Sequence, residues 1–403
     1  VQFPARKGKE WWRANDIGRE YLAVFGGRGL AMNEEPIAGS APAPETSVQK
    51  GRFEFLDCAR GLAALAVVTQ HAADAAFPNT RLLTQNYFSP GIFGVVLFFL
   101  VSGFIIPVSV EKAGDLKRFW IARVFRLYPL YWFSLWAAVA FGLADPTHAG
   151  GHGFYLSIAA NATMFQQFLG IPDALGIYWT LGLELAFYGL CSGLFVVGCL
   201  EKKRILAGLS VAGVIGLSLA ALFVLHRSLP FGRILLLVIA FAGSYLHSVF
   251  TGRESFRSYL SSFLPFILAA ITLGLWVRFG RYPPSRDETE PVFSFLCVIA
   301  SWLAAYGIFL LLFQLRSKEF PRFSLWLGTV SYSLYLVHLF AIHFVPHIFP
   351  ASVWFVLVVL SSISISPITW RLIEQPGIAF GRKLLRRGPT ILRPAPQSVP
   401  PVL

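Results

Sequence analysis

Gly94-Val95-Val96-Leu97-Phe98-Phe99-Leu100-Val101-Ser102-Gly103-Phe104-Ile105 is the centre of a run, residues 90–110, that contains no charged side chain. About 20 apolar residues cross the hydrocarbon of a bilayer as an α-helix. In lipid each backbone N–H and C=O must be bonded within the protein, which a helix achieves along its own segment. Working outward, further apolar runs lie near 57–77, 127–144, 178–199, 205–225, 231–250, 263–278, 292–313, 324–345 and 351–371. The expectation is therefore an all-α, polytopic membrane protein of about ten transmembrane helices. A soluble chain of 403 residues needs a polar surface that 55% hydrophobic and 14% charged residues, with a mean hydropathy of +0.61, do not supply.

Charge placement bears on the count independently, because Lys and Arg accumulate on cytoplasmic loops. With ten spans and both termini cytoplasmic, 28 of the 34 Lys and Arg fall inside and 6 outside. The chain is thus expected as a multi-pass protein of the inner (plasma) membrane. The net charge of +13 is spread over short loops at helix ends, where topology and contact with anionic membrane lipid account for it, so nucleic acid is not an expected partner. Four cysteines, Cys58, Cys191, Cys199 and Cys297, lie in or beside apolar runs without metal-ligand spacing. They read as small core residues, and no metal is expected.

Residues 1–52 are polar and hold no apolar core of the kind a secretory signal needs, so they read as a disordered cytoplasmic tail. A sharper alternative is that residues 1–31 are not translated, since Met32 opens a short Pro/Ala/Ser segment directly before the first span. Residues 53–387 then form the membrane domain, and the Pro-rich stretch 388–403 is expected to be disordered. Two outside segments are long enough to shape the mouth of a cavity: 145–177, with His148, His152, Asp173 and Gln166-Gln167, and 279–291, with Arg286.

An ionisable side chain at the centre of a span costs about 2.5–3.5 kcal/mol on insertion scales, so each one calls for a reason. In the first span Arg60 and His71 are separated by three helical turns, which places them on one face about 16 Å apart. Asp57 and Arg60, three apart, can pair at the cytoplasmic edge. The plain alternative is an interfacial anchor at Asp57 and Arg60 and a packed histidine at His71. In the second span Ser102-Gly103 admits a close approach by a ligand or by another helix. Arg123 and Arg126 share a helix face at the cytoplasmic surface, suited either to clamping phosphates or to anchoring. Glu184 has Thr180 and Tyr188 on its face and no cation near it in sequence, so it must meet another helix or a cavity. Ser331, Tyr335 and His338 form a polar stripe on an otherwise apolar helix.

These residues occur in motifs that resemble the acyltransferase-3 family of integral-membrane sugar O-acyltransferases. The motifs are Leu56-Asp57-x-x-Arg60-Gly61 with ten residues between Arg60 and His71, Gly94-Val95-x-Leu97-Phe98-Phe99-x-x-Ser102-Gly103-Phe104, and Arg123-x-x-Arg126-Leu127-Tyr128-Pro129. They continue with Trp179-Thr180-Leu181-x-x-Glu184-x-x-Phe187-Tyr188, Ser331-Tyr332-Ser333-Leu334-Tyr335-Leu336-x-His338 and Arg371-Leu372-Ile373-Glu374-Gln375-Pro376. Val96 and Leu185 stand where the family often has acids, and no role is expected of them.

The resemblance implies transfer of an acyl group, commonly acetyl, from cytoplasmic acyl-CoA as donor substrate to a hydroxyl of a carbohydrate acceptor, with no tightly bound cofactor. It implies catalytic roles for His71, Arg60 and Glu184, with His71 as base or acyl relay. Arg123, Arg126, Ser102, Gly103 and Tyr128 are the implied donor-binding residues. Trp179, Tyr188, Tyr335 and His338 are the implied acceptor-binding residues, with Glu184 or Trp179 orienting His71 or binding sugar. A glycan transporter or flippase is the competing reading, since intramembrane His, Glu and Arg also line pathways. Against it stand the absence of repeated halves and the basic loop beside the first span. A non-catalytic scaffold would not need Arg60, His71 and Glu184 together.

Overall fold

The computed structural model describes residues 53–144, 153–283 and 293–387. Both tails, His148, His152 and Arg286 lie outside the described residues. The described residues are helical, with no strand among them. The helices are α1 (Glu54–Ala76), α2 (Thr80–Asn86), α3 (Pro90–Ala113), α4 (Leu116–Ala140), α5 (Phe154–Ala162), α6 (Trp179–Val196) and α7 (Lys203–Ala220). They continue as α8 (Phe231–Phe250), α9 (Leu264–Leu275), α10 (Phe295–Gln314), α11 (Arg322–Thr329), α12 (Ser331–Phe344), α13 (Ala351–Thr369) and α14 (Gln375–Arg387). Wider turns extend α7 to Leu225 and α9 over Phe256–Arg281.

Helix ends follow local chemistry. Ser89 accepts from the Ile92 amide at 3.1 Å with Pro90 in the first turn, and Gly114 takes the left-handed conformation (φ 64°) that closes α3. Asp115 then caps α4 through the Lys117 amide at 2.9 Å.

Among the described residues seven helices are long and apolar enough to cross a membrane, and the α11–α12 pair, bent by 76°, makes an eighth if it is one span. α1 and α4 have 23 and 25 residues but carry the arginines that matter below, which lowers their hydropathy. Side-chain contacts sort the helix ends into two sets. At one end Lys203 meets Glu111 at 3.0 Å and Glu54 accepts from the Phe320 amide. At the other, Cys297 and Ser294 bond the backbone of Thr84 and Asn86. α3 is the hub. A Cβ at Gly103 would stand 1.9 Å from the Ala240 carbonyl oxygen, and one at Gly243 2.4 Å from that of Leu100, so α3 and α8 touch backbone to backbone.

Residues 153–177 differ from the outside loop expected of them. They hold α5 and a tight turn, Gln166–Leu169, and α5 runs down the flank of α4 to its middle. The last carbonyls of a helix lack intrahelical donors. Here the Tyr131 hydroxyl donates to Asn161 O at 2.6 Å, the Trp132 indole to Ala162 O at 2.9 Å and the Tyr128 hydroxyl to Thr163 O at 2.8 Å. α4 thus supplies donors to backbone carbonyls that the end of α5 leaves open. The returning segment is pinned by Asp173, which accepts from the amides of Gln166 and Gln167. Burial holds its carboxyl above the usual carboxylate range, and the two amides offset only part of that rise.

Candidate functional site

α1, α3, α4, α6 and α12 enclose a cleft of about 790 Å³, counting its open mouth. Arg60 reaches it from α1, Ser102 from α3, and Arg123 and Arg126 from α4. α6 contributes Thr180, Glu184 and Tyr188, and α12 contributes Ser331, Tyr332 and Tyr335. One helix turn separates Arg123 from Arg126, and again Thr180, Glu184 and Tyr188 from each other, so each set shares a face.

Glu184 Oε1 accepts from the Tyr188 hydroxyl at 2.6 Å and from Ser102 Oγ at 3.2 Å. The Arg123 guanidinium lies over the rings of Phe119 and Tyr188, 5.5 and 5.6 Å from their centroids, which holds it against the wall. Arg60 pairs with Asp57 at 3.6 Å. Behind the wall, Glu374 is 1% exposed, accepts from Ser333 Oγ at 3.0 Å and is within electrostatic reach of Arg126 and Arg60. Among the cavity-lining residues three guanidiniums stand with one carboxylate, while Asp57 and Glu374 lie beside Arg60 and Arg126.

At its far end Tyr335 and Thr180 bond hydroxyl to hydroxyl at 2.8 Å, and Tyr335 donates to Ile177 O at 3.0 Å. Three residues along α12, His338 is fully buried and faces α1, where its Nε2 lies 2.8 Å from Nδ1 of the half-buried His71. The two imidazole planes are 7° apart.

The site residues named from the sequence therefore separate into groups. Arg60, Ser102, Arg123, Arg126, Glu184, Tyr188 and Tyr335 line the cleft. His71 and His338 form a pair beside Tyr335 and are not among the cleft-lining residues. Gly103 faces the Ala240 backbone, Tyr128 caps α5, and Trp179 opens α6 next to Thr180; none of the three lines the cleft. Glu184 bonds across to Ser102 and not to His71. Asp74, which belongs to none of the sequence motifs, lies one turn beyond His71 and accepts from Thr80, Thr84 and Gln70 at 3.1–3.3 Å. An acid inside the apolar run 57–77 was the available signal. Among the described residues no group of three or more His, Cys, Asp or Glu could hold a metal ion.

A family model described as an acyltransferase domain matches residues 53–371. A Staphylococcus aureus (strain COL) protein provisionally named an O-acetyltransferase is 26% identical over 396 residues, covering 86% of this chain and 61% of its own. Nodulation protein 10 of Rhizobium leguminosarum bv. viciae is 25% identical over 378 residues, 85% of this chain and 98% of its own. Acyltransferase MdmB of Streptomyces mycarofaciens is 31% identical over 148 residues, 34% of this chain and 38% of its own. The chain thus spans less than two thirds of the staphylococcal and streptomycete relatives. No solved structure matches it.

Proposed function

Because the chain belongs to the acyltransferase-domain family, we propose that it is a membrane O-acyltransferase, moving an acyl group from cytoplasmic acyl-CoA to a hydroxyl of a carbohydrate acceptor. Acetyl is the acyl group that the names of the relatives suggest. The observation that carries this reading is the cleft in which Arg60, Arg123 and Arg126 face a single carboxylate, Glu184. A coenzyme A thioester is anionic at its phosphates and neutral at its acyl end, so it matches a cavity that is cationic at Arg123 and Arg126 and hydroxyl-lined at Thr180 and Tyr335.

The proposal includes ten spans: the seven apolar helices, the bent α11–α12 pair, and α1 and α4. With both termini cytoplasmic in the inner membrane, the arginine end of the cleft opens to the compartment that holds acyl-CoA.

In the reaction, His71 Nε2 takes the proton of the acceptor hydroxyl. The oxygen forms its bond to the thioester carbonyl carbon, the carbon–sulfur bond breaks, and the coenzyme A thiolate leaves and takes up the proton. Ester and thiol are the products, and no oxidant or further reactant is consumed. Tyr335, which lines the cleft and stands beside His338, marks the boundary across which donor and acceptor meet.

The test is deletion of the gene and mass spectrometry of surface and secreted glycans. A lost ester increment, restored by the wild-type gene and not by the His71→Gln variant, is expected. Unchanged glycan esters in the deletion strain would remove the carbohydrate acceptor from the reading.

A further inference from the structure

We propose that His338 is a positioning residue that fixes the tautomer of His71, leaving its Nε2 as the one basic nitrogen of the pair. This rests on the reading of His71 as the base and deepens it.

The assignment follows from what each atom can do. A backbone carbonyl only accepts hydrogen bonds, and the Tyr335 oxygen lies 2.8 Å from His338 Nδ1, so that nitrogen carries a proton. A neutral imidazole has a single N–H, so His338 Nε2 presents a lone pair. That lone pair faces His71 Nδ1 at 2.8 Å, and His71 Nδ1 must therefore donate. The remaining lone pair of the dyad sits on His71 Nε2, which makes no hydrogen bond to a described residue. A carbonyl on α12 thus decides the protonation of a ring on α1, acting through a histidine 267 residues from that ring in sequence.

The device is stiff. His338 is completely buried, so water does not substitute for its Nε2. Tyr335, whose oxygen anchors it, is held by Thr180 and Ile177 through its hydroxyl and by the Phe98 ring edge-on at 5.9 Å. A carboxylate is the commoner partner for a basic histidine. The nearest acid on α1, Asp74, is engaged by Thr80, Thr84 and Gln70 and bonds neither imidazole. An imidazole lone pair does the same orienting work without placing a second charge in a lipid-surrounded bundle, where an extra carboxylate is costly. As His71 gains the acceptor's proton, its Nδ1–H bond to His338 becomes charge-assisted and stronger.

Two readouts test this on the full chain in lipid vesicles. Nitrogen NMR of histidine-labelled protein, with His71→Gln as the difference spectrum, should show His71 protonated on Nδ1 and bare on Nε2. His338→Gln, whose amide oxygen can accept where Nε2 did, should keep that signature and ester formation within about tenfold. His338→Leu should move His71 to the Nε2-protonated form and lower ester formation by on the order of 10² to 10⁴. Coenzyme A binding at the arginine cleft, unchanged in both variants, shows that they are folded. An Nε2-protonated His71 in active wild type, or a His338→Leu variant with wild-type signature and activity, overturns the positioning role. Full ester formation by His71→Gln instead overturns the base reading on which it rests.

Discussion

The hydroxyl of Tyr335 lies 2.8 Å from that of Thr180, tying α12 to α6 where both side chains also line the arginine cleft. The same Tyr335 gives its backbone carbonyl to His338, so one residue is shared between the wall of the cleft and the histidine pair.

Tyr335→Phe separates these duties. It removes the hydroxyl and leaves both the ring against Phe98 and the carbonyl on His338. The expected outcome is a loss of about 1–3 kcal/mol in stability, at about 0.5–1.5 kcal/mol for each of the two hydrogen bonds the hydroxyl makes, with ester formation reduced less than tenfold. Thermal unfolding in detergent beside glycan ester content checks it. An inactive variant of unchanged stability would mean that the hydroxyl itself acts on a substrate.

Arg123→Ala with Arg126→Ala is expected to weaken coenzyme A binding by about 10-fold to 100-fold for each charged hydrogen bond lost, at about 1.5–3 kcal/mol apiece. The Lys,Lys double variant should recover only part of this, because an ammonium does not grip a phosphate bidentately. Binding titrations on purified protein decide it. Full binding by the double alanine variant would leave these residues as membrane anchors.

How far the site was legible depends on whether its contacts run along a helix or between helices. Tyr188 sits four residues from Glu184 and bonds it, and Arg60 and His71 share a face of α1, both within reach of helical arithmetic. Ser102 as the second partner of Glu184, and His338 as the partner of His71, come from helices 82 and 267 residues away. No periodicity carries that information. Arg60 and His71 were grouped by their shared face, yet one belongs to the cleft and the other to the pair beside it. Residues 153–177 read as part of an outside loop because they lie between the apolar runs 127–144 and 178–199. What holds them against α4 is the capping of α5 by Tyr128, Tyr131 and Trp132, a tertiary event.

Topology can be probed at short links between spans. Reporter insertions after Lys202 and after Arg253 should be cytoplasmic, and those after Pro78 and after Arg227 extracytoplasmic, as the excess of Lys and Arg on one set of ends requires. Paired enzymatic and fluorescent reporters read this out. Two of these sites on the side opposite to expectation would sink the ten-span arrangement.

Glu184→Gln distinguishes a donor-site carboxylate from one that serves His71. Its bonds run to Ser102 and Tyr188 inside the cleft, and none runs to either histidine. The amide oxygen can still accept from both hydroxyls, so the cleft should keep its shape while losing its one inward negative charge. In native membrane vesicles that carry their own acceptor, with acetyl-CoA titrated, the apparent KM for the donor should change by several-fold. The rate at saturating donor should stay within about threefold, because the base and its tautomer are untouched. A carboxylate that oriented His71 would behave in the opposite way, lowering the saturated rate by on the order of 10² or more with little change in KM. That result would require Glu184 to reach the histidine pair during turnover.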